Sequence, residues 1–255
     1  RVTLVKNNMQ KKEYRIEIGG KILTAIFTDL AEQAHGSVML KYGETIVLAT
    51  VCMSHDKQQG LGFFNLTVDY VEKFYAAGKI LGSRFVRREG KPSEEAILAC
   101  RVIDRTLRPL FDQSISHAVQ VIVTVLSVDD NEPTILAVKA ASLALAVSNI
   151  PWNGPIGCVR IGKYDNENLM INPPQSFRLD DSLYKFDLTV CGKDGNINMI
   201  EASAHQNKEE ELEEALIRAS EEITKLEDFQ KNIVKEIGKE KRVIEKETIS
   251  SESAA

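Results

Sequence analysis

G-S-R-F-V-R-R-E-G-K-P-S-E-E-A-I-L-A-C-R-V-I-D-R-T-L-R-P-L-F, residues 82–111, passes from a basic loop into an amphipathic helix. Gly82 and Gly90 bracket Arg84, Phe85, Arg87 and Arg88, with Lys79 and Lys91 on either side. Ser93 has the side chain of a helix N-cap, and Glu94 and Glu95 fall in the first turn, where the helix dipole favours acids. Pro109 cannot continue a helix, so the element ends before it. Within it Arg101, Arg105 and Arg108 recur at i, i+4 and i+7 and share one stripe, with Asp104 in reach of Arg101 and Arg108.

Two readings of this stretch stay open on chemistry alone. Guanidinium groups grip phosphate oxygens two at a time, and a neighbouring aromatic ring stacks on a base, which is how single strands are held. Equally, Arg87 and Arg88 pair with Glu89, Glu94 or Glu95 on a solvated surface, and the helical stripe is internally neutralised by Asp104.

Upstream, the pattern is strand-like. Tyr14 to Ile18 alternates, Gly19-Gly20 marks a hairpin turn, and Lys21 to Phe27 continues the alternation. Ser37 to Leu40 and Thr45 to Val51 flank a turn at Tyr42-Gly43-Glu44, and Leu66 to Val71 is a further strand. Downstream, Val119 to Val128 reads as a strand buried on both faces, and Thr134 to Ser148, apolar nearly all round, as a buried helix. Strands are expected near Cys158 to Ile161, Leu169 to Ile171, Phe186 to Val190 and Asn198 to Glu201. The fold class is therefore α/β (α+β): mixed, largely antiparallel sheets packed with helices over residues 1–205. From Lys208 the chain becomes charged and periodic, with Leu212, Leu216, Ala219, Ile223, Leu226, Ile233 and Ile237 on one seam and Gln230 interrupting it. Residues 206–247 are accordingly an amphipathic helical segment, one helix or a pair, and 248–255 a frayed tail.

The 255 residues carry a net charge of −5, with 43% hydrophobic and 27% charged residues. That excludes a uniformly basic nucleic-acid binder but not a local basic patch. Cys52, Cys100, Cys158 and Cys191 form no C-x-x-C pair, and His35, His55, His117 and His205 are scattered, so neither a disulfide framework nor a zinc site is expected. The most apolar run, Ile135 to Val147, is too short to span a bilayer and contains Lys139. No secretory signal is read at the N-terminus, so a bacterial-type cytoplasmic location is expected, with an organellar one left open.

Residues 82–111 closely resemble the polynucleotide phosphorylase family, whose basic loop reads F-F-R-R-E-G-R-P-S-E and whose following helix reads R-L-I-D-R-P-I-R-P-L-F. V-D-Y-V-E-K-F-Y-A-A-G-K-I (68–80), I-P-W-N-G-P-I-G-C-V-R-I-G (150–162) and I-E-A-S-A (200–204) agree as well. The resemblance covers most of residues 14–205 and is to the first of the family's two RNase PH-like halves; the segment after Lys208 resembles the start of the helical region between them. It implies a trimeric ring around a channel and 3′-to-5′ degradation of RNA by inorganic phosphate, with Mg²⁺. It assigns RNA contact to Phe85, Arg87 and Arg88, with Arg84 as an extra cation before the motif and Val86 in place of the second aromatic residue; the spacing of Arg101, Arg105 and Arg108, not the resemblance, reads as a basic wall facing an anion or RNA backbone.

The same resemblance locates what is missing. Where active halves carry a serine-rich phosphate turn, this chain has Asn131-Glu132-Pro133-Thr134; Pro133 has no N–H to offer and Glu132 repels phosphate. Where active halves carry paired metal-binding aspartates, it has Asn172 and Phe177, although Asp180, Asp181 and Asp187 lie nearby. No catalytic, metal or cofactor residue is therefore assigned to this chain, and single-stranded RNA and a catalytic RNase PH-like half are its expected partners. The competing readings are a stand-alone phosphorolytic enzyme using Asp180 or Asp181, a purely structural ring subunit, and a small-molecule kinase of related fold. The last needs a Ser- and Gly-rich phosphate loop that is not found.

Overall fold

The computed structural model describes residues 11–58, 63–80, 91–164, 168–178 and 184–244. The first hairpin pairs β1 (Lys12–Ile18) with β2 (Lys21–Phe27) through Gly19 and Gly20, both at positive φ, as a tight primed turn requires. Then follow β3 (Gly36–Tyr42) and β4 (Thr45–Met53), joined at Gly43 (φ 62°). A Cβ on Gly43 would run into the side chains of Asn131 and Asp129, so this corner needs glycine both for its backbone angle and for its space. β5 (Leu66–Val71) and β6 (Val119–Ser127) complete a six-stranded sheet in the order β1-β2-β3-β4-β6-β5, antiparallel except for the β5–β6 pair.

Between β5 and β6 runs α1 (Glu94–Leu107); after β6 comes α2 (Pro133–Val147). A second, antiparallel sheet has the order β10-β9-β7-β8, from β7 (Gly157–Tyr164), β8 (Met170–Ile171), β9 (Tyr184–Lys193) and β10 (Asn196–Ala204). α2 lies between the two sheets, against β3, β4 and β6 on one side and β7 on the other. That position explains its sequence: every residue of α2 except Thr134 is buried, so no face needs to be polar.

The expectation that β6 is buried on both faces is corrected. Val119, Val121, Val123 and Val125 are buried against α2, whereas Gln120 is exposed and Ile122 and Thr124 only half-covered. A helix layer covers one face of the six-stranded sheet, and among the described residues nothing comparable covers the other.

The charged C-terminal segment is one continuous helix, α3 (Glu209–Ile237). Its seam does not await a partner: Ala215, Ala219, Ile223, Leu226 and Ile233 are buried, and the helix packs on β7, β9 and α2. Gly157 makes the approach possible, because a Cβ there would stand 2.8 Å from the Ile223 carbonyl oxygen. Gln230, the interruption in the seam, is a buried cross-link. Its amide donates to the Ile156 carbonyl at 2.6 Å and accepts from the Ser142 hydroxyl at 2.7 Å. Beyond α3, the Lys241 ammonium donates to the carbonyls of Leu145, Ala146 and Ser148, closing the C-terminal end of α2.

Candidate nucleic-acid interface and the filled helix corner beside it

α1 is held against β5 by polar contacts spaced along its length. The Ser93 hydroxyl accepts from the Ala96 N–H at 3.0 Å as the N-cap and donates to Glu72 at 3.3 Å. The Tyr70 N–H meets the Cys100 sulfur at 3.0 Å. At the far end Arg108 grips Asp104 through two nitrogens (2.6 and 2.9 Å) and donates to the carbonyls of Phe64 and Leu66.

The three stripe arginines therefore differ in what they can do. Arg108 is a fastener between α1 and the start of β5. Arg105 is exposed and stands 3.9 Å from Glu201, too far for a hydrogen bond. Arg101 is exposed and has no acidic partner among the described residues. Asp104, read as shared between Arg101 and Arg108, pairs with Arg108. Arg84, Phe85, Arg87 and Arg88 lie outside the described residues, as do Asp180 and Asp181. The turn that precedes Arg84 to Arg88 in sequence, Phe74–Ala77, is described, with Lys73, Phe74, Tyr75 and Lys79 all exposed.

The second region is the corner at the start of α2. Glu132 is the N-cap, its carboxylate accepting from the Thr134 N–H, and Pro133 occupies the first helical position. From β7, Arg160 reaches this carboxylate at 3.1 Å and binds Asp187 of β9 through two nitrogens, both at 2.6 Å. Asp187 is buried and Arg160 mostly so, with 13% of its side chain exposed. Burial alone would lower the Arg160 pKa; the hydrogen bonds and charge of Asp187, with Glu132, outweigh it and raise it. Asn172, at φ 50°, turns its amide oxygen to the Arg160 N–H at 3.0 Å. Phe177 is buried between the rings of Tyr164 and Tyr184.

Lys139, one turn and a half into α2, lines the narrow cavity of this corner with Tyr42, Glu132 and Asn172. Its ammonium lies 5.7 Å from the centre of the Tyr42 ring, and burial lowers its pKa to about 8. Neither phosphate nor Mg²⁺ fits here. The helix end that would attract an anion already holds a carboxylate, Pro133 supplies no N–H, and the nearest guanidinium is matched by two acids. The amide of Asn172 faces the backbone and brings no charge for a cation. Sequence reasoning missed Arg160. Its signal was there, as the lone charge inside the apolar run Gly157 to Gly162.

The model of the 3′ exoribonuclease family, domain 1, matches residues 23–151, just over half of the chain. The chain belongs to this family. It is 45% identical over 96% of its length to a polyribonucleotide nucleotidyltransferase of Caldicellulosiruptor saccharolyticus, covering 34% of that protein. It is 48% identical over 90% of its length to the Thermomicrobium roseum polyribonucleotide nucleotidyltransferase, covering 29%. The chain thus spans about a third of the length of the curated relatives it matches. Among solved structures, rice (Oryza sativa) Rrp46 superposes with a TM-score of 0.63 at 16% identity, over 88% of this chain and 94% of that one. An archaeal exosome core chain superposes with a TM-score of 0.56 at 19% identity, over 87% and 86%. These two likenesses concern the fold. The resemblance to the polynucleotide phosphorylase family is borne out by the relatives, and the mixed, largely antiparallel architecture by the structure.

Proposed function

We propose that this domain is the RNA-guiding, channel-forming half of a 3′-to-5′ phosphorolytic exoribonuclease and carries no catalytic centre of its own. The observation that carries the reading is the α2 corner, where Glu132 occupies the anion position and Arg160 is saturated by Glu132 and Asp187. Phosphorolysis requires an anion and a cation side by side at such a place, and this one is closed to both. Phosphate and Mg²⁺ then belong to a catalytic RNase PH-like half, reached through a homotrimeric ring or through pairing of halves in the cytoplasm. RNA contact falls on Arg84, Phe85, Arg87 and Arg88, extended by Arg101 and Arg105 on the outward face of α1, with Arg108 holding that helix in place. The test is release of nucleoside diphosphates from poly(A) by the pure chain with phosphate and Mg²⁺. No release above background is expected, and robust metal-dependent release overturns the reading.

A further inference from the structure

We infer that the turn Lys73–Lys79 is a base-stacking subsite for single-stranded RNA, with Phe74 and Tyr75 as its platform and Lys73 and Lys79 as its phosphate contacts. Two adjacent large rings are 56% and 59% exposed here, although burying either would stabilise the fold. The turn does not present them because it is loose. Ala76 is buried beneath it, and its carbonyl accepts from the Val128 N–H at 3.0 Å. The N–H groups of Ala76, Gly78 and Lys79 bond back to Lys73, Tyr75 and Phe74, each at 3.0 Å, and Gly78 closes the turn at φ 66°. A fixed backbone that holds two rings outward loses little freedom when a flat ligand lies on them.

Charge decides which ligand. Lys73 and Lys79 are exposed at the two ends of the turn, and the chain runs on from Ile80 into the basic loop with Arg84, Arg87 and Arg88. The nearest acid in sequence, Glu72, accepts the Ser93 hydroxyl, and Glu94 and Glu95 sit in the first turn of α1. Rings flanked by ammonium groups suit a base with its phosphates, since stacking tolerates any base and the cations follow the backbone. A neutral apolar protein surface would leave both lysines facing a dry contact without partners.

The inference rests on the RNA-guiding reading, and the experiment separates the two. A labelled oligo(A) and an abasic strand of equal length are titrated, over several salt concentrations, into the parent chain, Phe74→Ala/Tyr75→Ala and Arg87→Ala/Arg88→Ala. The parent is expected to prefer oligo(A), and the ring variant to lose that preference, about tenfold per stacked base, with its salt slope unchanged. The arginine variant is expected to keep the preference and lose slope, about 0.7 per phosphate. Phe74→Trp is expected to fold and to be quenched by oligo(A), against a Trp152 that is buried. If the ring variant keeps the preference while the arginine variant weakens, the subsite is wrong and the guiding role stands. If the parent binds neither strand, both fall. If the ring variant binds RNA as the parent does but loses self-association, the rings belong to a protein interface and the subsite is overturned.

Discussion

The start of α2 and the outward side of α1 with its neighbouring turn treat charge in opposite ways. At α2, one mostly buried guanidinium is matched by two carboxylates and the helix end is capped by its own acid, while the Lys139 ammonium lines the same corner at a cost set by burial. At α1, Arg101 and Arg105 face water, with Lys73 and Lys79 equally exposed on the turn beyond β5. A charge answered inside the chain builds structure; a charge left in water is available to a ligand. The difference teaches that in this domain the start of α2 commits its guanidinium and carboxylates to one another, while the outward side of α1 leaves its cations exposed.

The comparison breaks most sharply at Arg160. Arg160→Met removes the two-nitrogen grip on buried Asp187 and the contact with Glu132, which should cost about 3–5 kcal/mol. Thermal unfolding should fall by roughly 10 °C for a chain of this size. Neutralising the partners in the same background, with Glu132→Gln and Asp187→Asn, should return much of the loss, because the penalty comes from carboxylates that have lost their guanidinium. A Tm within a degree or two of the parent for Arg160→Met alone would mean the corner is hydrated and open, and the contrast with α1 would collapse.

Most strands and the helices α1, α2 and α3 were legible because period and punctuation are local. Gly19-Gly20 and Gly43 marked hairpins, Ser93 marked the start of α1, and Pro109 its end. What was not legible depends on contacts between distant residues. The half-open face of β6 follows from α2 covering one side of its sheet, which no window around Val119 to Val128 contains. The corner needs Glu132, Arg160 and Asp187 from three elements, and only Glu132 and Asp187 drew attention in the sequence. Likewise spacing put Arg101, Arg105 and Arg108 on one stripe, but only the carbonyls of Phe64 and Leu66 show that Arg108 is a fastener.

A middle-sized effect sharpens the closed side. Lys139 keeps its ammonium in the corner cavity, where burial lowers its pKa to about 8 despite the pull of Cys158, Cys191 and Glu222. Below pH 8 the folded chain holds a proton that burial disfavours. Between pH 8 and about 10.4, the ordinary lysine value, the folded chain releases the proton before the unfolded chain does, so stability rises with pH. Lys139→Met should therefore stabilise the domain by on the order of 2 kcal/mol at pH 7, and the gain should fade as pH approaches 10. Inorganic phosphate should leave the parent's Tm unchanged at pH 7. If phosphate instead raised the parent's Tm and left Lys139→Met untouched, the corner would be an anion site after all.

The smallest stability effect tests the open side. Arg101 makes no ion pair among the described residues, and Arg105 meets Glu201 only at 3.9 Å, so Arg101→Ala/Arg105→Ala should shift stability by no more than about 0.5 kcal/mol. Arg108→Ala removes a pair with Asp104 and two bonds to carbonyls, and should cost about 1–2 kcal/mol. Binding should rank the variants in reverse. If the outward face of α1 follows an RNA backbone, the double variant should flatten the salt dependence of binding by up to about 1.4, or 0.7 for each phosphate released. It should weaken all sequences alike, because backbone contacts carry no base information. Arg108→Ala, measured where it remains folded, should leave the slope alone. Chemical denaturation and salt titrations on the same three proteins decide the matter. A double variant with the parent's slope would confine RNA contact to the turn and residues 81–90, and the stripe would then serve only to seat α1 on β5.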